Sequence, residues 1–314
     1  MRGILGAAIG AALCLLALTA PASAQFLTFV SATGNDANTC FVQAAPCKTL
    51  NRAINQTSAG GEVRLLTSLA GNGFINKSLT IEGGRNTVIG TISVNSASAI
   101  VRFRRLNLNG RHAFPTGFNL INAAAVHIEE SSVERYTADG IVLGANVSTE
   151  LFISDSVIRD NADEGLLTLG PTTARVSIDN SRFENNAGFG AQLVTQTSVS
   201  RSIAFGNFVG FDVGGAATAT FVDTVAAANV DAGFGVFDAG GTSLTLSSCD
   251  AYQNNNQGLL VGGIGAPTAR ISNCLFTANG EGVGNNGTAL TLGNNLIAGN
   301  TNNVVGTLTP LAGE

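Results

Sequence analysis

Hydrophobic positions in this chain recur at a fixed distance. Adding 25 repeatedly to Val101 reaches Val126, Leu151 and Val176. The same step from Phe103 reaches Ile128, Ile153 and Ile178, and from Leu108 it reaches Val133, Ile158 and Phe183. It returns later through Phe221, Leu246 and Ile271, and through Gly233 and Gly258. An asparagine column runs alongside, at Asn161, Asn186, Asn207, Asn229, Asn254, Asn279 and Asn300, with steps of 25, 21, 22, 25, 25 and 21. Winding length therefore varies in loops while the asparagine persists. Within one period Val126 and Ile128 face inward and His127 between them faces out, the alternation of a strand. Gly, Asn, Asp and Ser punctuate these short runs. The pattern predicts an all-β solenoid, in which each winding lies on the previous one at about 4.8 Å and like residues stack. From Glu62 to Pro310 there is room for roughly ten windings, on the order of 50 Å of cylinder.

Composition sharpens this picture. The chain has 314 residues, 45% of them apolar, 12% charged, 39 glycines and no tryptophan. So much glycine argues against a helical repeat, and so little charge against a disordered chain. A net charge of −5 leaves no basic footprint for nucleic acid. Residues 1–24 read as a secretory signal: Arg2, an apolar run from Ile4 to Leu18, then Ala22-Ser23-Ala24 with cleavage before Gln25. The product is expected outside the cytoplasm, in the periplasm or secreted, with no later stretch apolar enough for a membrane span. Four cysteines follow the signal. Cys40 and Cys47 bracket a short loop and are expected to pair. Cys249 and Cys274 fall one winding apart in the column of Ser131, Ser156, Ser181 and Thr224. Their Cα atoms should lie about 5 Å apart, within reach of a disulfide, so a bond and two buried thiols both stay open.

The segment Val30 to Asn38, followed by Pro46-Cys47-Lys48-Thr49-Leu50, is similar to the start of many exported members of the right-handed parallel β-helix superfamily, the pectate-lyase-like fold. The resemblance implies a single-stranded right-handed parallel β-helix at 62–310, a cap at 25–61 and a tail at 311–314. The cap would hold a strand, the Cys40–Cys47 loop and a short helix whose apolar face is Leu50, Ala53 and Ile54. It implies no particular activity, because the fold hosts many.

Polysaccharide lyases of this superfamily need a base near the substrate α-proton and a cation for the uronate carboxylate. The group that answers is Arg102, Arg104, His127 and Glu129, which alternation and the 25-residue step turn outward on one face. The preferred reading of the same residues is structural: Arg104 over Glu129, Arg105 over Glu130, and Asn109, Glu134, Arg159 and Glu184 in one column make ladders of opposite charge. Phe152, next after His127 in its column, argues against a polar groove continuing there. The Asn-Thr-Asp, Asp-Asp and Arg-Ile-Lys motifs of the superfamily's hydrolases are missing, and the only lysines are Lys48 and Lys77. No cofactor is expected, save that Asp155, Asp160, Asp163 and Glu164 offer oxygens to calcium, with Arg159, Arg175 and Arg182 weakening the field. Exposed sugar platforms are scarce, with two tyrosines, Tyr136 and Tyr252. Nine charged side chains follow Ser200, a weakly charged surface suited to association between copies of the chain. The expected function is a structural or recognition role at the cell envelope or outside it, with a polysaccharide as partner. The alternatives are a lyase acting by β-elimination on a uronate polymer, and a surface adhesin.

Overall fold

The computed structural model describes residues 26–145, 148–170, 173–237 and 241–311. The expected signal at 1–24 lies outside the described residues. Each winding lays down three short strands on three faces. In one mid-chain winding they are Leu166–Thr168 on face B, Arg175–Asp179 on face A and Arg182–Glu184 on face C. Each pairs in parallel with its counterpart a winding later, Leu166 with Ala191, Arg175 with Gln196 and Arg182 with Ile203. Face C is an 11-stranded sheet, close to the number of windings expected, while faces A and B join into one 22-stranded sheet. They join because two long strands, Ile92–Arg104 and Phe118–Glu129, run round the corner between them.

Register follows the sequence count. Ile128 lies beside Ile153, Ile153 beside Ile178, and the column continues through Val199, Phe221, Leu246 and Ile271. The two short steps around Asn207 keep this alignment, so the missing residues come out of loops. All these side chains are buried. Where the face C column narrows to Ala204, Ala226 and Ala251, Phe211, Phe221 and Phe234 fill the space, their ring centroids 5.1 to 5.9 Å apart. That exchange of small for large keeps the interior at ordinary packing density.

The corners are polar and specific. Between faces A and C a serine column accepts from the backbone of the preceding winding: Leu106 N donates to Ser131 Oγ (3.1 Å), Ser131 N to Ser156 Oγ (3.1 Å) and Ser156 N to Ser181 Oγ (3.2 Å). Cys249 and Cys274 continue the column, both buried and not bonded to each other. Between faces C and B the asparagines form a continuous buried ladder; Asn186 Nδ2 donates to Asn207 Oδ1 at 2.9 Å and Asn229 Nδ2 to Asn254 Oδ1 at 2.9 Å. A non-glycine residue with positive φ ends the face A strand in winding after winding, among them Arg105 (48°), Glu130 (49°), Asp155 (52°) and Asn180 (44°). That left-handed step turns the chain sharply and re-aims the side chain.

At the N-terminal end, strand Leu27–Val30 pairs in parallel with Gly61–Leu65, so it forms a rung continuous with face A. Cys40 and Cys47 are disulfide-bonded. Helix Leu50–Gln56 buries Leu50, Ala53 and Ile54 over the first winding, and its N-cap Thr49 accepts from Arg52 N at 3.3 Å. Among the described residues no helix is long and apolar enough to cross a membrane.

Candidate functional site

Face A carries the outward residues singled out in the sequence, and the structure brings them together. Arg102 lies beside His127 and Arg104 beside Glu129 in the parallel register. Arg104 Nε is 3.6 Å from Glu129 Oε2, and His127 Nδ1 is 4.0 Å from Glu129 Oε1. Burial, and then the Arg102 charge, hold the His127 imidazole below its usual range. It is therefore neutral near pH 7, the form in which it can accept a proton.

On the next rung Phe152 stands where it was expected to interrupt a polar groove. Its ring stacks on the His127 imidazole, centroids 4.7 Å apart and planes 11° from parallel. Phe152 lines one end of a cleft that opens on the rungs after it, and neither His127 nor Arg102 belongs to that lining. This open cleft of ≈ 580 Å³ runs across four rungs of face A, lined by Phe152 with Glu150, Arg175, Gln196, Ser198 and Thr220 among others. One of these rungs is Gln196–Ser200, which two residues connect to the face B strand ending at Leu193. Six residues make the same connection between Leu143 and Glu150 and between Thr168 and Arg175. Glu150, Arg175, Gln196 and Thr220 were missed in the sequence. The signal was available, because Phe152, Ser177, Ser198 and Thr220 continue the Arg102–His127 column.

The charge ladders are present in part. Arg104 meets Glu129, and Glu134 is held by Arg159 (2.7 Å) and by Asn109 Nδ2 (2.8 Å). Arg105 does not meet Glu130. Its positive φ sends the guanidinium back one winding to the buried Glu82, with Nε at 3.1 Å and an Nη at 2.7 Å.

The four acids offered to calcium divide. Asp155 and Asp160 sit at positive-φ corners on either side of strand Val157–Arg159. Asp155 accepts from Asn180 Nδ2 (2.6 Å), and Asp160 lies 3.8 Å from Arg159 Nε. Asp163 and Glu164 meet Asp139 instead, with one oxygen of each within 4.8 Å of the others. Asp139 is the residue one winding before Glu164, so the 25-residue step could have found it. These three could hold a divalent cation. Without one, burial and the neighbouring Asp139 and Asp163 push the Glu164 carboxyl up to about 8. The folded protein then holds a proton that the unfolded chain has released, and stability falls as pH rises from about 4.5 to about 8. Urea unfolding at pH 5 and pH 8 should show that loss, and Glu164→Gln should flatten the difference.

The family described as "Right handed beta helix region" matches residues 80–226 and again 116–302. The chain belongs to the right-handed β-helix family. Two solved structures share the β-helix at low identity. One, titled "Crystal structure of pectate lyase Pel9A", is 13% identical with a TM-score of 0.54, over 91% of this chain and 78% of that one. The other, the Azotobacter vinelandii mannuronan C-5 epimerase AlgE6 A-module, is 16% identical with a TM-score of 0.51, over 84% of this chain and 95% of that one. No curated protein sequence matches this β-helix.

Proposed function

We propose that this β-helix is an exported protein that binds an extended polysaccharide along face A. The observation that carries the reading is the cleft lined by Phe152, Glu150, Arg175, Gln196, Ser198 and Thr220, with His127 stacked behind Phe152 on the rung outside it. The face of the Phe152 ring turned away from His127 can cover the apolar face of a sugar ring at that end of the cleft, while amide, hydroxyl and guanidinium groups along it meet hydroxyls and any carboxylate. Parallel rungs repeat every 4.8 Å or so, which suits a polymer more than a compact ligand. Both structural neighbours are enzymes named for a polysaccharide, pectate in one and mannuronan in the other. A disulfide at Cys40–Cys47 fits an oxidising compartment.

Calorimetry with polygalacturonate, polymannuronate and a neutral glucan tests this. Phe152→Ala and Arg175→Ala should each weaken binding by about tenfold, Arg175→Ala only for the anionic polymers. Polymers that fail to bind, or variants that bind like the parent, would remove the reading.

A neutral His127 beside Arg102 favours a second reading, lyase action. His127 would take the proton α to the uronate carboxylate, the electron pair would form a C=C bond, and the glycosidic C–O bond would break. The unsaturated product absorbs in the ultraviolet, and that signal should vanish in His127→Ala and Arg102→Ala. A panel of uronate polymers that stays silent leaves recognition without cleavage.

A further inference from the structure

Face B, opposite in character to face A, holds a second cleft of ≈ 410 Å³, lined by Phe189, Phe208, Phe237, Gln192, Asp212 and Asp231 among others. Among the described residues two carboxylates and three aromatic rings share this lining, and no lysine, arginine or histidine belongs to it. The sequence places these residues through the same register logic. Asp212 sits between Gln192 and Gly235 in an outward face B column. A side chain at 235 would fall 2.6 Å from the Phe237 ring and 3.0 Å from Asp212 Oδ1. Glycine there lets ring and carboxylate converge on one place. Phe189 and Phe208 meet edge to face, centroids 6.5 Å apart at 71°. Asp212 is 5% exposed, whereas Phe208 is 44% exposed, so the acid lies deep and a ring stands at the mouth.

We propose that this cleft binds an organic cation, a primary ammonium on an aliphatic stem. Ring faces and carboxylates both attract a cation, and attraction strengthens where water is partly excluded. The apolar stem would lie against Phe189, Phe208 and Val194. The surroundings reinforce the sign. Backbone hydrogen bonds place Asp163, Gly188, Phe208 and Asp231 in one column along the adjacent corner, so acids stand on both sides of Phe208. A uronate would be repelled here, and a neutral sugar would find angled rings instead of a flat platform. This cleft is therefore separate from face A in place and in ligand chemistry.

Cadaverine is the probe, titrated by calorimetry and by NMR of the phenylalanine rings, beside 1,5-pentanediol as its uncharged counterpart. Cadaverine should bind saturably with a Kd on the order of 1 mM, weaken with added salt, and exceed the diol by about tenfold. Asp212→Asn, which keeps the side-chain shape, and Phe208→Ala, at the exposed rim, should each weaken it by about tenfold. Phe152→Ala should leave it unchanged, which keeps this result independent of the face A reading. Equal binding of the diol, an unaltered affinity in a folded Asp212→Asn protein, or no saturable cadaverine binding would each overturn the proposal.

Discussion

Asn207→Ala should unfold at markedly lower denaturant than the parent, a loss on the order of 3–6 kcal/mol. The amide of Asn207 is fully buried and uses its whole hydrogen-bonding capacity. Nδ2 donates to Phe183 O at 2.9 Å and to Asn229 Oδ1 at 3.3 Å. Oδ1 accepts from Asn186 N at 3.0 Å and from Asn186 Nδ2 at 2.9 Å. Alanine leaves Asn186 N and Phe183 O without these partners in a place water does not reach, and each buried orphan costs about 1–3 kcal/mol. Because every winding contacts mainly its neighbours, a break here also weakens the coupling between the two halves. Urea titration followed by circular dichroism should therefore show a lower midpoint and a broader transition. Ser198→Ala, at an exposed position of the adjacent face, should change stability by less than about 0.5 kcal/mol. Equal midpoints for the two variants would mean that the ladder is dispensable.

Gly210→Ala should be as damaging for a different reason. A Cβ at 210 would lie 2.4 Å from Gly233 O, a backbone atom of the next winding, and 3.1 Å from Asn229 Nδ2. The same obstruction recurs down the column: Gly165 faces Gly190 O at 2.5 Å, Gly190 faces Gly210 O at 2.5 Å, and Gly258 faces Gly282 O at 2.7 Å. Neither carbonyl nor amide can retreat, because both are fixed at inter-strand spacing by the parallel ladder. Separating two windings to admit a methyl would stretch hydrogen bonds on three faces together. The expected loss is on the order of 3–5 kcal/mol, within the range of severe core overpacking. Gly262→Ala is the control. Nothing lies within 4 Å of its missing Cβ, and its stability should stay within about 0.5 kcal/mol of the parent. Thermal unfolding of both variants decides the matter, and a Gly210→Ala protein as stable as Gly262→Ala would contradict the steric argument.

Both expectations concern the corner between faces C and B, and that corner also serves the two clefts. The glycine and asparagine columns hold each face B strand at a constant height while loop length between faces B and A changes. The chain can therefore drop residues between Leu193 and Gln196 without disturbing the core beneath them. On face B the same rigidity lets Gly235 and Asp212 stack with a gap beside Phe237.

The sequence by itself determined the stack. In a parallel solenoid each residue's principal neighbour is its equivalent one winding away, held by backbone bonds, so counting 25 from Ile128 locates Ile153 in space as well as in the chain. That is why the apolar columns, the asparagine ladder, the pairing of Arg102 with His127 and the capping helix were all legible before any coordinates. The sites were less so, because counting gives position and not direction. Arg105 is one winding from Glu130, yet its left-handed backbone aims it at Glu82. Asp155 and Asp160 are close in sequence to Asp163 and Glu164, yet two corners turn them elsewhere, and Asp139 completes the cluster. Only the tertiary structure decided these matters: side-chain direction is set by local φ and ψ, which the repeat does not constrain.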